Sequence, residues 1–322
     1  MRTPEGNRSA ARSGGIPAAW SGESGRIRRP SMAIGFSVLA SGSKGNATLI
    51  RLGGASVLID AGLGPRTLDA RLQRVGADRR HLGGVMLTHT HGDHAHDLTL
   101  RWMARHGVPL HCHPAHLDEA GHRPGFRELA RVGLIRTFDD RPFLVGPGLW
   151  AEPFELKHSG PTFGFRLQGR LGRSGRPSSI GYLTDTGCWD SRVADALADV
   201  DLLGLEFNHD EQMERNSGRS PALIWRNLGD RGHLSNDQGA ALLSAVLSRS
   251  GPGAVRQVVL LHLSEDCNRP GLAVQTATEA LKASGRRASV FAATQAAPLS
   301  DLWVKPARRP RAPSPAGFPW ES

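Results

Sequence analysis

Thr88-His89-Thr90-His91-Gly92-Asp93-His94 follows directly on the apolar run Val85-Met86-Leu87. Four side chains able to bind a metal fall within six residues of it, His89, His91, Asp93 and His94. In a strand successive side chains alternate between two faces, and in a helix they spread around a cylinder, so neither would bring all four to one point. The segment is therefore expected to be a loop at a strand end, wrapped around cations. Imidazole and carboxylate donors suit zinc first, and also manganese or iron, with zinc bonds of about 2.0–2.2 Å.

Outward from this loop, short apolar runs alternate with helical periodicity. Strands are expected at Gly35–Ala40, Ala47–Leu52, Ser56–Ile59, Gly84–Thr88, Leu110–Cys112, Phe154–Leu156, Thr162–Gln168, Ser179–Thr184, Leu202–Phe207 and Gln257–Leu263. Helices are expected at Pro65–Val75, Asp97–His106, Ala115–Ala120, Phe126–Val132, Ser191–Leu197, Pro221–Asp230, Asn236–Ser248 and Leu272–Ser284. The first half opens with a β meander over Gly35–Ile59, the second with a hairpin around Arg170–Arg176. The pattern predicts an α/β protein. Two mixed sheets packed face to face, with helices outside, would accommodate both halves.

The 322 residues, 39% hydrophobic and 22% charged, suffice for one large core. No window approaches eighteen consecutive apolar residues and the N-terminal stretch has no apolar segment, so neither a membrane span nor a secretory signal is expected, and a cytoplasmic location follows. Three widely spaced cysteines, Cys112, Cys188 and Cys267, read as reduced thiols rather than a disulfide framework or a cysteine zinc site. The net charge of +10 is uneven: residues 1–31 hold six Arg against two Glu, and residues 304–322 hold one Lys and three Arg against one Glu, leaving only +3 between them. Both ends are rich in Arg and Pro, the first also in Gly and Ser, and read as disordered tails. They bound a catalytic domain over 32–303, with Met32 as a second possible start. Charge concentrated in tails says little about a nucleic-acid groove in the domain.

A His-x-His-x-Asp-His run after a strand is the hallmark of the metallo-β-lactamase superfamily, and further stretches resemble that family in the same order. They are Ser56-Val57-Leu58-Ile59-Asp60, then His158 in LKHSGPTFGF, Asp185 in YLTDTG and His262 in LLHLS. The resemblance spans about residues 32–303. It implies a four-layer αβ/βα sandwich and two divalent metal ions held by His89, His91, Asp93, His94, His158, Asp185 and His262, with Asp60 supporting the loop. SGSKGNATLI, GYLTDTG, LEFNHD, GHLSN and LLHLSEDCNRP together resemble the YycJ/WalJ branch, which is implicated in 5′-to-3′ DNA exonuclease activity and related to tRNase Z nucleases. Two departures are mild: Arg166–Gly181 is longer than the usual hairpin, and Cys267-Asn268 stands where relatives often have Asn-Asn.

Divided by chemistry, His89, His91 and His158 would hold one ion, Asp93, His94 and His262 the other, and Asp185 could bridge with its two oxygens. Cations about 3.5–4 Å apart lower the pKa of a shared water, which attacks phosphorus. The leaving sugar oxygen then needs a proton. By resemblance His233 is the general acid, and Glu206 is placed to orient it, making Asp93, His233 and Glu206 the candidate catalytic residues. The expected activity is dinuclear-metal phosphodiester hydrolysis by a nuclease, with DNA favoured over RNA. Thioester or lactam hydrolysis and RNA processing are the alternatives. A third reading, a nucleic-acid-binding protein acting through its tails around a structural metal, conflicts with the ligand number: structural zinc sites are closed four-ligand cages, whereas seven ligands around two ions leave room for substrate.

His111, His113 and His116 lack an accompanying acid and are not expected to form a third metal site. Neither are His106, His122 and His209, although Asn208 and His209 should lie near the pocket. Arg166, Arg170, Arg173 and Arg176 read either as a phosphate-gripping loop or as a solvated hairpin tip. Ser41–Asn46 reads either as backbone N–H groups presented to a phosphate or as a plain turn. No run interleaves aromatic and basic side chains as an extensive single-strand stacking platform would.

Overall fold

The computed structural model describes residues 33–170 and 176–305. Its strands are β1 (Ile34–Ala40), β2 (Ala47–Leu52), β3 (Ala55–Ile59), β4 (Leu82–Met86), β5 (Leu110–Cys112), β6 (Ile135–Thr137), β7 (Phe143–Gly146), β8 (Leu149–Lys157), β9 (Pro161–Gly169), β10 (Ser178–Tyr182), β11 (Leu202–Glu206), β12 (Gln257–Leu261), β13 (Ser289–Ala292) and β14 (Leu299–Val304). Its helices are α1 (Pro65–Arg74), α2 (Asp97–His106), α3 (Pro114–Ala120), α4 (Pro124–Arg131), α5 (Ser191–Ala196), α6 (Glu211–Arg215), α7 (Pro221–Leu228), α8 (Asn236–Arg249) and α9 (Pro270–Ala283). Every expected strand and helix is present, β2, β5 and α2 with the expected ends and the others with shifted ends. β6, β7, β13, β14 and α6 were not foreseen. The tails expected over 1–31 and 304–322 lie outside the described residues except for Val304 and Lys305, and Met32 and Arg173 lie outside them too.

Two seven-stranded sheets form, one in the order β14, β1, β2, β3, β4, β5, β6, the other in the order β13, β12, β11, β10, β9, β8, β7. Both are mixed. The period-2 alternation of side chains makes the layers. In β12, Val259 and Leu261 enter the layer between the sheets, while Val258 and Leu260 face α5, α8 and α9. In β1 and β2, Phe36, Val38, Ile50 and Leu52 point between the sheets, and Leu39 and Leu49 face α1, α2 and α4. Three apolar layers therefore bind four structural layers, the αβ/βα sandwich. Full burial of each such side chain contributes about 1.5–3 kcal/mol, so no single contact decides the fold. Among the described residues no helix is long and apolar enough to cross a membrane.

The parallel runs β3-β4-β5 and β10-β11-β12 point their C-terminal ends toward one edge of the sandwich, the place where α/β sheets offer loops to ligands. β8 runs in the same direction as β10, because each is antiparallel to β9.

Two expectations are corrected. Arg166 does not belong to an exposed basic loop: β9 continues to Gly169, so Arg166 sits in mid-strand, is 5% exposed, and donates from Nη1 to the carbonyls of Ala196 (3.0 Å) and Ala198 (2.5 Å). It ties down carbonyls freed at the C-terminal end of α5. The Ser41–Asn46 segment is no phosphate cradle either. The amides of Ser41, Gly42, Lys44, Gly45 and Asn46 already donate to Thr294, Asn46, Gln295, Gly42 and Asp93.

The HCHPAH histidines are structural. His113 Nδ1 accepts from Ala115 N–H, the His113 N–H donates to His116 Nδ1, and His116 Nε2 donates to the Pro161 carbonyl, each at 3.2 Å. Burial depresses both His111 and His116 to about 4. Protons that the unfolded chain takes up from about pH 6.5 are refused by the folded one, so this stabilisation is complete above 6.5 and is lost as pH falls toward 4, up to roughly 3 kcal/mol for each. Urea unfolding at pH 7 and pH 5 is expected to show a smaller loss of stability for His111→Leu than for the parent chain; equal losses would refute it.

Candidate metal centre

The 89–94 loop is fixed before any ligand is considered. His94 N–H and Ala95 N–H both return to the His91 carbonyl (3.0 and 2.8 Å), closing one helical turn. Arg123, just before α4, brackets it by donating to the carbonyls of Thr90 and Ala95, each at 2.5 Å. Asn46 N–H donates to the Asp93 carbonyl at 2.7 Å. A Cβ at position 62 would stand 1.6 Å from that same carbonyl oxygen, so only glycine lets the backbone of the β3–α1 connection approach.

His158 follows β8, while Asp185 and His262 follow β10 and β12 within a few residues. Together with the loop they bring all seven expected ligand residues to one point. His89, His94, His158, Asp185 and His262 are at most 5% exposed. Donor atoms of His89, His91 and His158 lie within 4.8 Å of one another, as do those of Asp93, His94 and His262, and those of His89, His94 and Asp185. Asp185 thus stands between the two triads, its Oδ2 3.1 Å from His94 Nε2 and its Oδ1 3.4 Å from His262 Nδ1.

Each imidazole is oriented through its outward nitrogen. His94 Nδ1 donates to Asp60 Oδ2 at 2.7 Å, and Thr88 Oγ1, itself bonded to Asp60, accepts from His89 Nδ1 at 3.1 Å. His91 Nε2 donates to Ser159 Oγ (3.0 Å), His158 Nδ1 to the Gly232 carbonyl (2.9 Å), and His262 Nδ1 to Glu206 Oε1 (3.1 Å). With the protons so assigned, all five inward nitrogens carry lone pairs. His89 Nε2 and His91 Nδ1 then face each other at 3.0 Å, an approach of two lone pairs that a cation between them would turn from repulsion to attraction. His262 Nε2 is buried with no hydrogen-bond partner, Asp93 Oδ2 standing 3.9 Å away.

The charge balance asks for the same thing. Asp60, Asp185 and Glu206 are fully or almost fully buried, and uncompensated buried carboxylates cost several kcal/mol each. Burial pulls His262 down, yet Asp185, Asp93 and Glu206 outweigh it and push the imidazole up to about 10. Burial raises Glu206, and His233 and His262 more than offset this, holding it at about 2. Such a cluster draws positive charge, and the residues present fit two cations.

His233 lies beside the triads, its Nδ1 2.9 Å from Glu206 Oε1 and its ring centroid 5.1 Å from those of His158 and His262. Glu206 also accepts from the amides of Thr186 (3.0 Å) and Leu234 (3.3 Å). One carboxylate therefore orients two imidazoles. Sequence reasoning paired Glu206 with His233 and missed its hold on His262. It also missed Ser159, Thr88 and Asn46, which differ from ordinary strand-end polar residues only in what stands opposite them. Asn208 does lie at the site, where its amide donates to the His262 carbonyl at 2.7 Å.

Backbone strain concentrates here. Asp60 (φ 63°), Asp185 (φ 58°) and His262 (φ 55°) are left-handed non-glycine residues just past the ends of β3, β10 and β12. Each costs on the order of 1 kcal/mol relative to glycine.

Residues 55–263 match the beta-lactamase superfamily domain. Exodeoxyribonuclease YycJ of Bacillus anthracis is 28% identical over 264 residues, covering 79% of this chain and 91% of that one. Exodeoxyribonuclease WalJ of Streptococcus pneumoniae is 28% identical over 255 residues, covering 76% and 87%. Among solved structures, the metallo-β-lactamase fold protein YhfI of Bacillus subtilis superposes with a TM-score of 0.59 at 17% identity, covering 83% of this chain and 98% of that one.

Proposed function

The chain belongs to the beta-lactamase superfamily, and from that premise we propose that it is a nuclease: a phosphodiester hydrolase that holds two divalent cations, zinc first among them, and removes nucleotides from the 5′ end of DNA. Membership and its hydrolase relatives make it a metal-dependent hydrolase. The proposal adds the bond and the substrate. His89, His91 and His158 would hold one ion, Asp93, His94 and His262 the other, and Asp185 would bridge. Bound there, the pair supplies an activated water and neutralises the charge on the phosphoryl oxygens.

The single observation that carries this reading is that each of the five imidazoles has its outer nitrogen tied, which leaves the lone pair on the nitrogen it turns inward. His233 supplies the remaining function. Glu206 holds its Nδ1, which leaves Nε2 to pass a proton to a departing oxygen. An alkoxide leaving group needs that proton, whereas a thiolate departing from a thioester does not, so the imidazole favours phosphodiesters. DNA is preferred to RNA on the strength of the two relatives named exodeoxyribonucleases.

Metal analysis of the purified protein, paired with digestion of end-labelled DNA and RNA, tests the proposal. Two metal ions per chain and stepwise release from the 5′ end of DNA, abolished by a chelator and restored by zinc or manganese, are expected. Protein carrying both metals that leaves DNA and RNA intact would end the nuclease reading. Faster turnover of a thioester than of a phosphodiester would replace it.

A further inference from the structure

We infer that α7 is a stacking ledge for a single-stranded nucleic-acid end, with Trp225 receiving the base beside the scissile phosphodiester and Arg226 and Arg231 contacting the flanking phosphates. The identity of this ligand rests on the nuclease reading above.

Trp225 is 80% exposed, the largest exposure of any big apolar side chain among the described residues, and no residue of α7 is buried. A helix that contributes nothing to the core, yet presents an indole to water, has that surface available for a ligand. The ledge is also fixed relative to the metal centre. His233 N–H donates to the Asn227 carbonyl at 3.0 Å, and Gly232, whose carbonyl holds His158, sits so near that a Cβ there would lie 2.2 Å from the same Asn227 oxygen. Asn227 Nδ2 is in turn anchored to Glu214 Oε1 at 2.8 Å. One short connection thus joins the indole to both the general acid and a metal-binding histidine.

The charge around it suits a phosphate backbone. Arg226 follows Trp225 directly and is exposed. Arg231 and Lys157, together with Asp140 and Glu155, line a cavity of about 680 Å³ whose wall also includes His158 and Ser159. An exposed indole with an arginine next to it in the chain, tied to the candidate metal centre through Asn227, Gly232 and His233, suits single strands bound without regard to sequence, bases stacking while phosphates are neutralised. Leu223 adds little apolar surface at 38% exposed, too little for a stable protein interface.

The test uses the full-length, metal-loaded protein, a 5′-phosphorylated single-stranded oligodeoxynucleotide with phosphorothioate linkages for binding, its ordinary counterpart for turnover, and bis(p-nitrophenyl) phosphate as a diester too small to reach the ledge. Trp225→Ala is expected to weaken oligonucleotide binding about tenfold or more. It should also lower the ratio of kcat/KM for the oligonucleotide to that for the small diester by a similar factor, acting through KM, and Trp225→Phe should recover most of both. Unchanged oligonucleotide binding in Trp225→Ala, or a parallel fall on both substrates, overturns the ledge. If the parent protein cleaves neither substrate but binds the oligonucleotide through Trp225, the ledge stands and the nuclease reading falls. Cleavage of both by a protein whose binding ignores Trp225 has the opposite meaning.

Discussion

Asp185→Asn is expected to yield a folded protein that retains at most one tightly bound metal ion and loses phosphodiesterase activity by about 10³-fold or more, since bridging-ion stabilisation of several kcal/mol converts to that factor. The substitution is isosteric, and asparagine accepts the left-handed backbone that Asp185 adopts. What disappears is a negative charge between two groups of imidazoles, where Oδ2 faces His94 Nε2 at 3.1 Å and Oδ1 faces His262 Nδ1 at 3.4 Å. A neutral amide offers one weak oxygen donor in place of two. Metal content by mass spectrometry and hydrolysis of bis(p-nitrophenyl) phosphate give the answer. Two ions per chain at the parental affinity, with a rate within tenfold of the parent, would remove Asp185 from the centre.

The second large effect belongs to His233. Its replacement by alanine should lower kcat by about 10²–10⁴-fold, the usual worth of a positioned proton donor, with metal content unchanged. Glu206→Gln should behave differently. Because Glu206 Oε1 accepts from both His233 (2.9 Å) and His262 (3.1 Å), losing its charge should reduce turnover and weaken the metal site together, about 10–100-fold in metal affinity. Should His233→Ala strip the metals as well, the ring would be a ligand and the assignment of the proton donor would be wrong. A substrate whose leaving group needs no proton, such as p-nitrophenolate, should respond less to His233→Ala than DNA does.

Much of the centre was legible because its ligands are dense in sequence. His89, His91, Asp93 and His94 cannot share a point except as a loop, and His158, Asp185 and His262 were legible through the resemblance, each matching a ligand position of the family at the end of an apolar run. The outer shell was not legible. Ser159, Thr88 and Asn46 owe their roles to partners contributed by other elements: Asn46 meets His94 across 48 positions of chain, with Nδ2 2.9 Å from Nε2. The fold class followed from alternation, whereas the missed strands had no alternation to show. β6 has three residues, two of them exposed, and β14 pairs with β1 across almost the whole domain, through an irregular register around a left-handed Asp301. Arg166 misled for a related reason, since a strand-interior arginine and a hairpin-tip arginine look alike until the carbonyls it serves are seen. Trp225 was not singled out, because nothing in Leu223-Ile224-Trp225 marks the indole as 80% exposed.

The three left-handed residues beyond β3, β10 and β12 place durability and chemistry in opposition. Glycine would occupy each of those positions without strain, but it would bring neither the carboxylates of Asp60 and Asp185 nor the imidazole of His262. A laboratory lineage screened only for heat resistance would be drawn toward glycine at 185 and 262, whereas at 60 the lost acceptor for the Thr88 N–H and His94 Nδ1 would outweigh the strain relieved. On the proposed function, retention of the carboxylates and the imidazole there would distinguish a working enzyme from a mere relic of its architecture.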